Sequence, residues 1–407
     1  MSTTLRLAAS EEAALTAALG RALSVAAKAR TVDHALLFQL LALRDSPQDA
    51  LPELRELQQA VGTVPALDLF QHANQCALGR REPVSFRFLI QWLISRAQQV
   101  GPERAVADVS RYLESDTVDL ACILAVDGFG IERDITFGEY QLVAWSRLAE
   151  SDTKWQIASR SLFGAAWPSV AVVQRHSVPR THVRPWDVPG PNPAPPLEPA
   201  LDLLRCVTAI TGAGVRLLHY WIEPPDWAPW VPSHSGFGVD STVLATSAVL
   251  EGASVPSLLE IASRFRGLDE SHRARLRVPL DRLSRAHLAD LRPVDMAIEL
   301  GIALESLYAP TKLSEGIAHT VRTRAARFLG GSAERRQGTV SLLRDVYDLR
   351  SRAVHAGRFD ADGGPKKWRE EEKVRRVLED GRRLVGESLV KVIREGEPDW
   401  DDFDIGV

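Results

Sequence analysis

Tyr347-Asp-Leu-Arg-Ser-Arg-Ala-Val-His-Ala-Gly357 closes a long stretch of helical spacing, and its reading decides the fold of the C-terminal third of the chain. Gly357 follows the last turn, where a glycine commonly stops a helix. Upstream, Gly330-Gly331 ends a preceding helix and Pro293 suits the first helical position of another. Working outward, the spacing predicts helices over about 256–266, 270–291, 293–308, 313–329, 332–356 and 369–394. The last carries a charged run, Lys366 to Arg376, whose Glu and Lys/Arg spacing fits a solvated helix face.

The same segment lies in a concentration of positive charge. Between positions 320 and 358 stand arginines 322, 324, 327, 335, 336, 344, 350, 352 and 358, against Glu334, Asp345 and Asp348 alone. Guanidinium forms bidentate hydrogen bonds to phosphate oxygens, so phosphate is the natural partner of such a surface. His355 adds a group that can give or take a proton near neutral pH. His34, His72, His176, His182, His219, His234, His272, His287 and His319 show no metal-ligand spacing and no adjoining nucleophile pattern. They read as surface or hydrogen-bonded histidines.

Several spaced segments then agree in order: Ala303-Leu-Glu-Ser-Leu307, Arg322-Thr-Arg-Ala-Ala-Arg-Phe-Leu-Gly330, Glu334-Arg335 and Val346 to Gly357. Together they resemble the successive helices of an Apea-like HEPN domain, over roughly 260–394 and more loosely from about 199. The resemblance implies a helical bundle, a homodimer formed through it, and a metal-independent endoribonuclease of toxin or anti-phage type. It places the arginine and histidine of the active-site pattern at Arg350 and His355, with four residues between them. Tyr347, Ser351, Arg352, Arg324 and Arg327 are the supporting or phosphate-binding candidates, and Glu305 the acidic partner. No metal or other cofactor is expected, and RNA is the expected partner. Ser351 departs from the family pattern, which often has asparagine or another strongly polar residue there. A catalytically silent module that dimerises and binds RNA or a protein therefore stands as the alternative.

Helix geometry qualifies the motif. At 3.6 residues per turn, positions 350 and 355 point about 140° apart. They meet only if the helix is distorted or ending, or if Arg350 reaches around. Ser351 and Arg352 are the same-face neighbours of His355, which makes Arg352 a rival for the phosphate. In the competing arrangement Arg350 pairs with Glu305 or Glu299 inside the bundle and His355 caps the helix end.

Outside the bundle, residues 1–117 read as a helical subdomain, with Leu36-Leu37-Leu40-Leu41 and Phe86-Phe88-Leu89-Trp92-Leu93 at helical spacing. Residues 118–183 read as a small β-containing unit, with Asp127-Gly128-Phe129-Gly130 as a turn and Val170-Ala-Val-Val173 as a buried strand. Proline recurs too often in 184–198 for helix or central strand, so this stretch reads as an extended linker. Residues 199–255 begin as a helix and continue into Trp221-Ile-Glu-Pro-Pro-Asp-Trp-Ala-Pro-Trp230, whose rings read as packing under a long loop rather than as base-stacking platforms. Residues 395–407 read as an acidic, disordered tail. The fold class is α+β, mostly helical.

Composition bounds the rest. The 407 residues carry a formal charge of -4, so a nucleic-acid contact must come from a local patch. Cys76, Cys122 and Cys206 are too far apart for a metal knuckle or redox pair and read as buried thiols of a reducing cytoplasm. With no signal-peptide pattern and no apolar run of about 18 residues, a membrane span is not expected. No nucleotide loop, nucleophile elbow or paired-histidine motif supports small-molecule chemistry in 118–183.

Overall fold

The computed structural model describes residues 5–28, 51–71, 73–161, 167–183, 197–231, 233–236, 248–288, 291–309, 316–356 and 365–405. The chain is α+β and mostly helical, as its sequence leads one to expect. Two compact units emerge, both discontinuous in sequence: 1–123 with 174–195 and 221–235, and 124–173 with 196–220 and 236–407.

In the first unit, α1 (Ala9–Lys28) and α2 (Pro52–Gly62) are followed by a short 3-10 turn, Pro65–Phe70. The hairpin β1 (Ala73–Ala77) and β2 (Arg80–Val84) comes next, then α3 (Phe86–Val100) and α4 (Pro102–Glu114). Ser85 caps α3 by accepting a hydrogen bond from the Phe88 amide, and Gly101, at φ 87°, makes the corner before Pro102. The hairpin corrects the wholly helical reading of 1–117. Its turn puts both Leu78 (φ 49°) and Gly79 (φ 76°) in the left-handed region, and leucine there hides the usual turn signal. Leu36 to Leu41 lie outside the described residues.

Strands follow: β3 (Thr117–Asp127), β4 (Phe129–Ile131), β5 (Ile135–Phe137), β6 (Tyr140–Ala144), and, after α5 (Asp152–Ser161), β7 (Val170–Pro179) and β8 (His182–Val183). Helix α6 (Glu198–Thr211) leads to β9 (Arg216–Glu223), β10 (Ser233–Gly236) and β11 (Ala248–Leu250). The strands form a six-stranded sheet in the order β10-β9-β3-β7-β6-β5, a three-stranded sheet β2-β1-β8, and the parallel pair β4 and β11. Val170 to Val173 are buried, as a strand apolar on both faces requires. Trp221 and Trp230 are buried too, in agreement with the packing reading of the tryptophan-rich stretch. The proline-rich residues 184–196 lie outside the described residues.

The second unit holds the bundle: α7 (Val255–Gly267), α8 (Glu270–Ala286), α9 (Pro293–Tyr308), α10 (Ile317–Leu329), α11 (Ala333–Ala356) and α12 (Pro365–Glu395). These spans follow the apolar periodicity closely. Helix α9 packs against α8, α11 and α12, and its Leu300, Ala303 and Leu304 are fully buried at the centre. The expected disordered tail is instead ordered as α13 (Trp400–Ile405). Its acidic residues masked an aromatic docking face, since Trp400 and Phe403 stack on bundle aromatics.

Candidate functional site

The last two turns of α11 divide their side chains between interior and solvent. Val346, Tyr347, Leu349 and Ala353 are buried, at the i, i+3 and i+7 spacing of a core face. Ser351, Arg352, Val354 and His355 are exposed. Arg350 lies at the border, with its side chain 30% exposed.

Arg350 turns toward α9. Its two terminal nitrogens meet the two Glu305 oxygens at 2.8 and 3.0 Å, a bidentate pair. Gly301 makes this possible, because a Cβ there would stand 2.2 Å from the Arg350 Cδ. The guanidinium carbon also sits 5.8 Å from the Tyr347 ring centre. Burial above all, reinforced by the Glu305 charge, raises the Tyr347 phenol above its ordinary range. Of the two arrangements left open for Arg350, the structure has the pairing with Glu305, while Glu299 bonds Arg282.

His355 is exposed on the other side of the helix. Within one chain Arg350 and His355 therefore do not converge, as their angular separation requires. Arg352 and His355 do share the exposed side, three residues apart, with Ser351 beside them. Arg352 also lines a recess of about 350 Å³ against α12, with Asp345, Asp348, Leu349, Glu370 and Lys373. Three carboxylates against two cations leave that recess without a positive excess.

Two expected phosphate ligands have other work. Arg324 is 3% exposed and holds Asp404 of α13 at 2.7 Å and the Tyr308 carbonyl at 3.1 Å. Arg327 donates to the Asp404 carbonyl at 3.1 Å and lies 4.7 Å over the Phe403 ring. The cause is the docked tail, which supplies the anion. Gly301 was the missed member of the cluster; a glycine inside a helix costs about 1 kcal/mol relative to alanine, and that expense was its only signal.

The first unit contains a second polar centre. Gln75 accepts from the Val231 amide at 2.8 Å and donates to the Pro229 carbonyl at 2.8 Å and to the Tyr112 hydroxyl at 3.2 Å. That hydroxyl lies 3.3 Å from His182 Nε2, and the Phe70 and Trp230 rings flank the imidazole. Burial, helped by Arg180, lowers the His182 pKa to about 3, so this histidine is neutral at ordinary pH. Burial likewise raises the Tyr112 phenol. The centre fastens the tryptophan-rich segment to β1.

Comparison with family models, with curated proteins and with solved structures gives no match. Cys76, Cys122 and Cys206 are buried and not joined in disulfides. Among the described residues, no three His, Cys, Asp or Glu side chains gather as a metal-binding group, and no helix is long and apolar enough to cross a membrane.

Proposed function

We propose that the bundle is a HEPN-type endoribonuclease that cleaves RNA without a metal, with His355 as its proton-transfer group. The observation that carries this reading is that His355 and Arg352 are both exposed, three residues apart, near the end of α11. His355 takes the proton of a ribose 2'-hydroxyl as that oxygen bonds to phosphorus. The bond to the 5'-oxygen breaks, and that oxygen leaves with a proton from an imidazolium or from water. The products are a 2',3'-cyclic phosphate and a 5'-hydroxyl. Arg352 balances the charge gathering on the phosphoryl oxygens, while Arg350 stays paired with Glu305 toward α9. DNA lacks the attacking hydroxyl and is not cleaved.

A second reading is a catalytically silent HEPN module that dimerises and binds RNA or a partner protein. The bidentate Arg350–Glu305 pair favours it, because that guanidinium is already matched to a carboxylate. The two readings part on one experiment. Purified protein is incubated with mixed RNA in EDTA, alongside His355→Ala, Arg352→Ala and Arg350→Ala. A ribonuclease gives cyclic-phosphate ends and loses about 100-fold or more of its rate in His355→Ala. Equal background in all four samples rejects the enzyme. RNA retention on a filter under the same conditions, weakened by Arg352→Ala, then supports the binding module.

A further inference from the structure

The short helix α13 occupies a groove with the features of a peptide site. Helix α12 ends at Glu395, and Gly396 follows at φ 88°, a conformation that suits glycine. Pro398 bars continuation of the helix. Glu397 then pairs with Arg275 and accepts from the Trp400 indole N–H at 2.9 Å. The six residues of α13 are far too few to hold a helix by themselves in water, so docking is what keeps them helical.

Docking is chemically specific. The Trp400 ring stands 5.5 Å from Tyr308 and 5.9 Å from Phe328, edge to face, and Phe403 stands 6.5 Å from Phe328. Arg324 lies 5.2 Å over the Trp400 ring and Lys391 lies 5.1 Å from the Phe328 ring. Asp404 provides the carboxylate that the buried Arg324 guanidinium needs, and its backbone carbonyl takes Arg327. A buried guanidinium aimed at a carboxylate from a segment with so little structure of its own is a recognition element, not packing alone.

We infer that the groove formed by Tyr308, Arg324, Arg327 and Phe328 is a docking site for a short Trp-x-x-Phe-Asp helix, and that the C-terminal segment occupies it reversibly with Gly396 as the hinge. The ligand class is an acidic-aromatic peptide, and the occupant is this chain's own residues 397–405. Arg324 also holds the carbonyl of Tyr308, three residues beyond Glu305 on α9, so the docked segment steadies the helix end that faces Arg350. The inference does not depend on ribonuclease activity.

The test uses a fluorescein-labelled synthetic peptide of residues 396–407, the full chain, and a chain ending at Gly396. Saturable binding to the shortened chain is expected, at least about tenfold tighter than to the full chain, where the groove is filled. An Asp404→Asn peptide should bind at least about thirtyfold more weakly, because it leaves Arg324 buried without its charge partner. Absence of binding to a shortened chain that retains its helical signal and cooperative melting overturns the proposal, as does equal binding to both chains. If the shortened chain fails to fold, Trp400→Ala in the full chain replaces it. Amide exchange over 400–405 should then rise at least about tenfold with the bundle unchanged, and unchanged exchange there overturns the proposal equally.

Discussion

His182 and His355 occupy opposite settings, one ringed by aromatic side chains and the other exposed. His182 is ringed by Phe70, Tyr112 and Trp230 in the first unit, with Tyr112 beside it held by Gln75. His355 stands in solvent at the end of α11 in the second unit, beside Arg352. Charge is expelled from the first imidazole by burial, whereas the second is exposed.

Removing ring volume from the enclosed region gives the largest effect that would sharpen this contrast. Tyr112 is fully buried, so Tyr112→Ala should destabilise the protein by about 3–5 kcal/mol, measured by urea unfolding. A loss below about 1 kcal/mol would mean that the ring cluster is not a packed core. Next comes the network itself. Gln75→Leu strands the Val231 amide and the Pro229 carbonyl, at a cost of about 1–3 kcal/mol. Faster amide exchange at Val231 would locate the damage, and unchanged exchange would show that Gln75 does not fasten that segment.

These two predictions also mark where the sequence was readable. The helices of the bundle announce themselves through periodic apolar residues, Pro293 at a start and Gly330 at an end, all local signals. Arg350 could be assigned to one of two carboxylates, and helix geometry already separated it from His355. The Gln75 centre was not readable, since its partners Pro229 and Val231 lie 154 and 156 residues away. Nor was the docking of α13. Asp401, Asp402 and Asp404 suggest solvation, and only the fold reveals that Asp404 has a buried guanidinium to meet. Local order is written in spacing, while polar pairing across the chain depends on contacts that spacing does not encode.

Acid distinguishes the regions by slope. An unfolded histidine titrates near 6.5, whereas folded His182 titrates at about 3. Between those values the unfolded chain holds the extra proton, so stability is full above about pH 6.5 and falls as pH drops toward 3. His287, lowered to about 3 by burial and by Arg382, acts in the same direction. Each such proton contributes about 1.4 kcal/mol per pH unit. Unfolding free energies measured at several pH values in that window should show one proton less of slope in His182→Gln. An unaltered slope would mean that the folded protein protonates this imidazole freely.

The smallest effect on stability bears most directly on function. His355 is exposed, so His355→Ala should change stability by less than about 0.5 kcal/mol. An intact melting curve combined with lost RNA cleavage would assign the loss to proton transfer and not to unfolding. Melting lowered as far as in Gln75→Leu would place His355 among the structural histidines after all. That result would erase the difference between the two imidazoles on which the ribonuclease reading rests, and the Arg350–Glu305 pair would then belong to a module that binds without cutting.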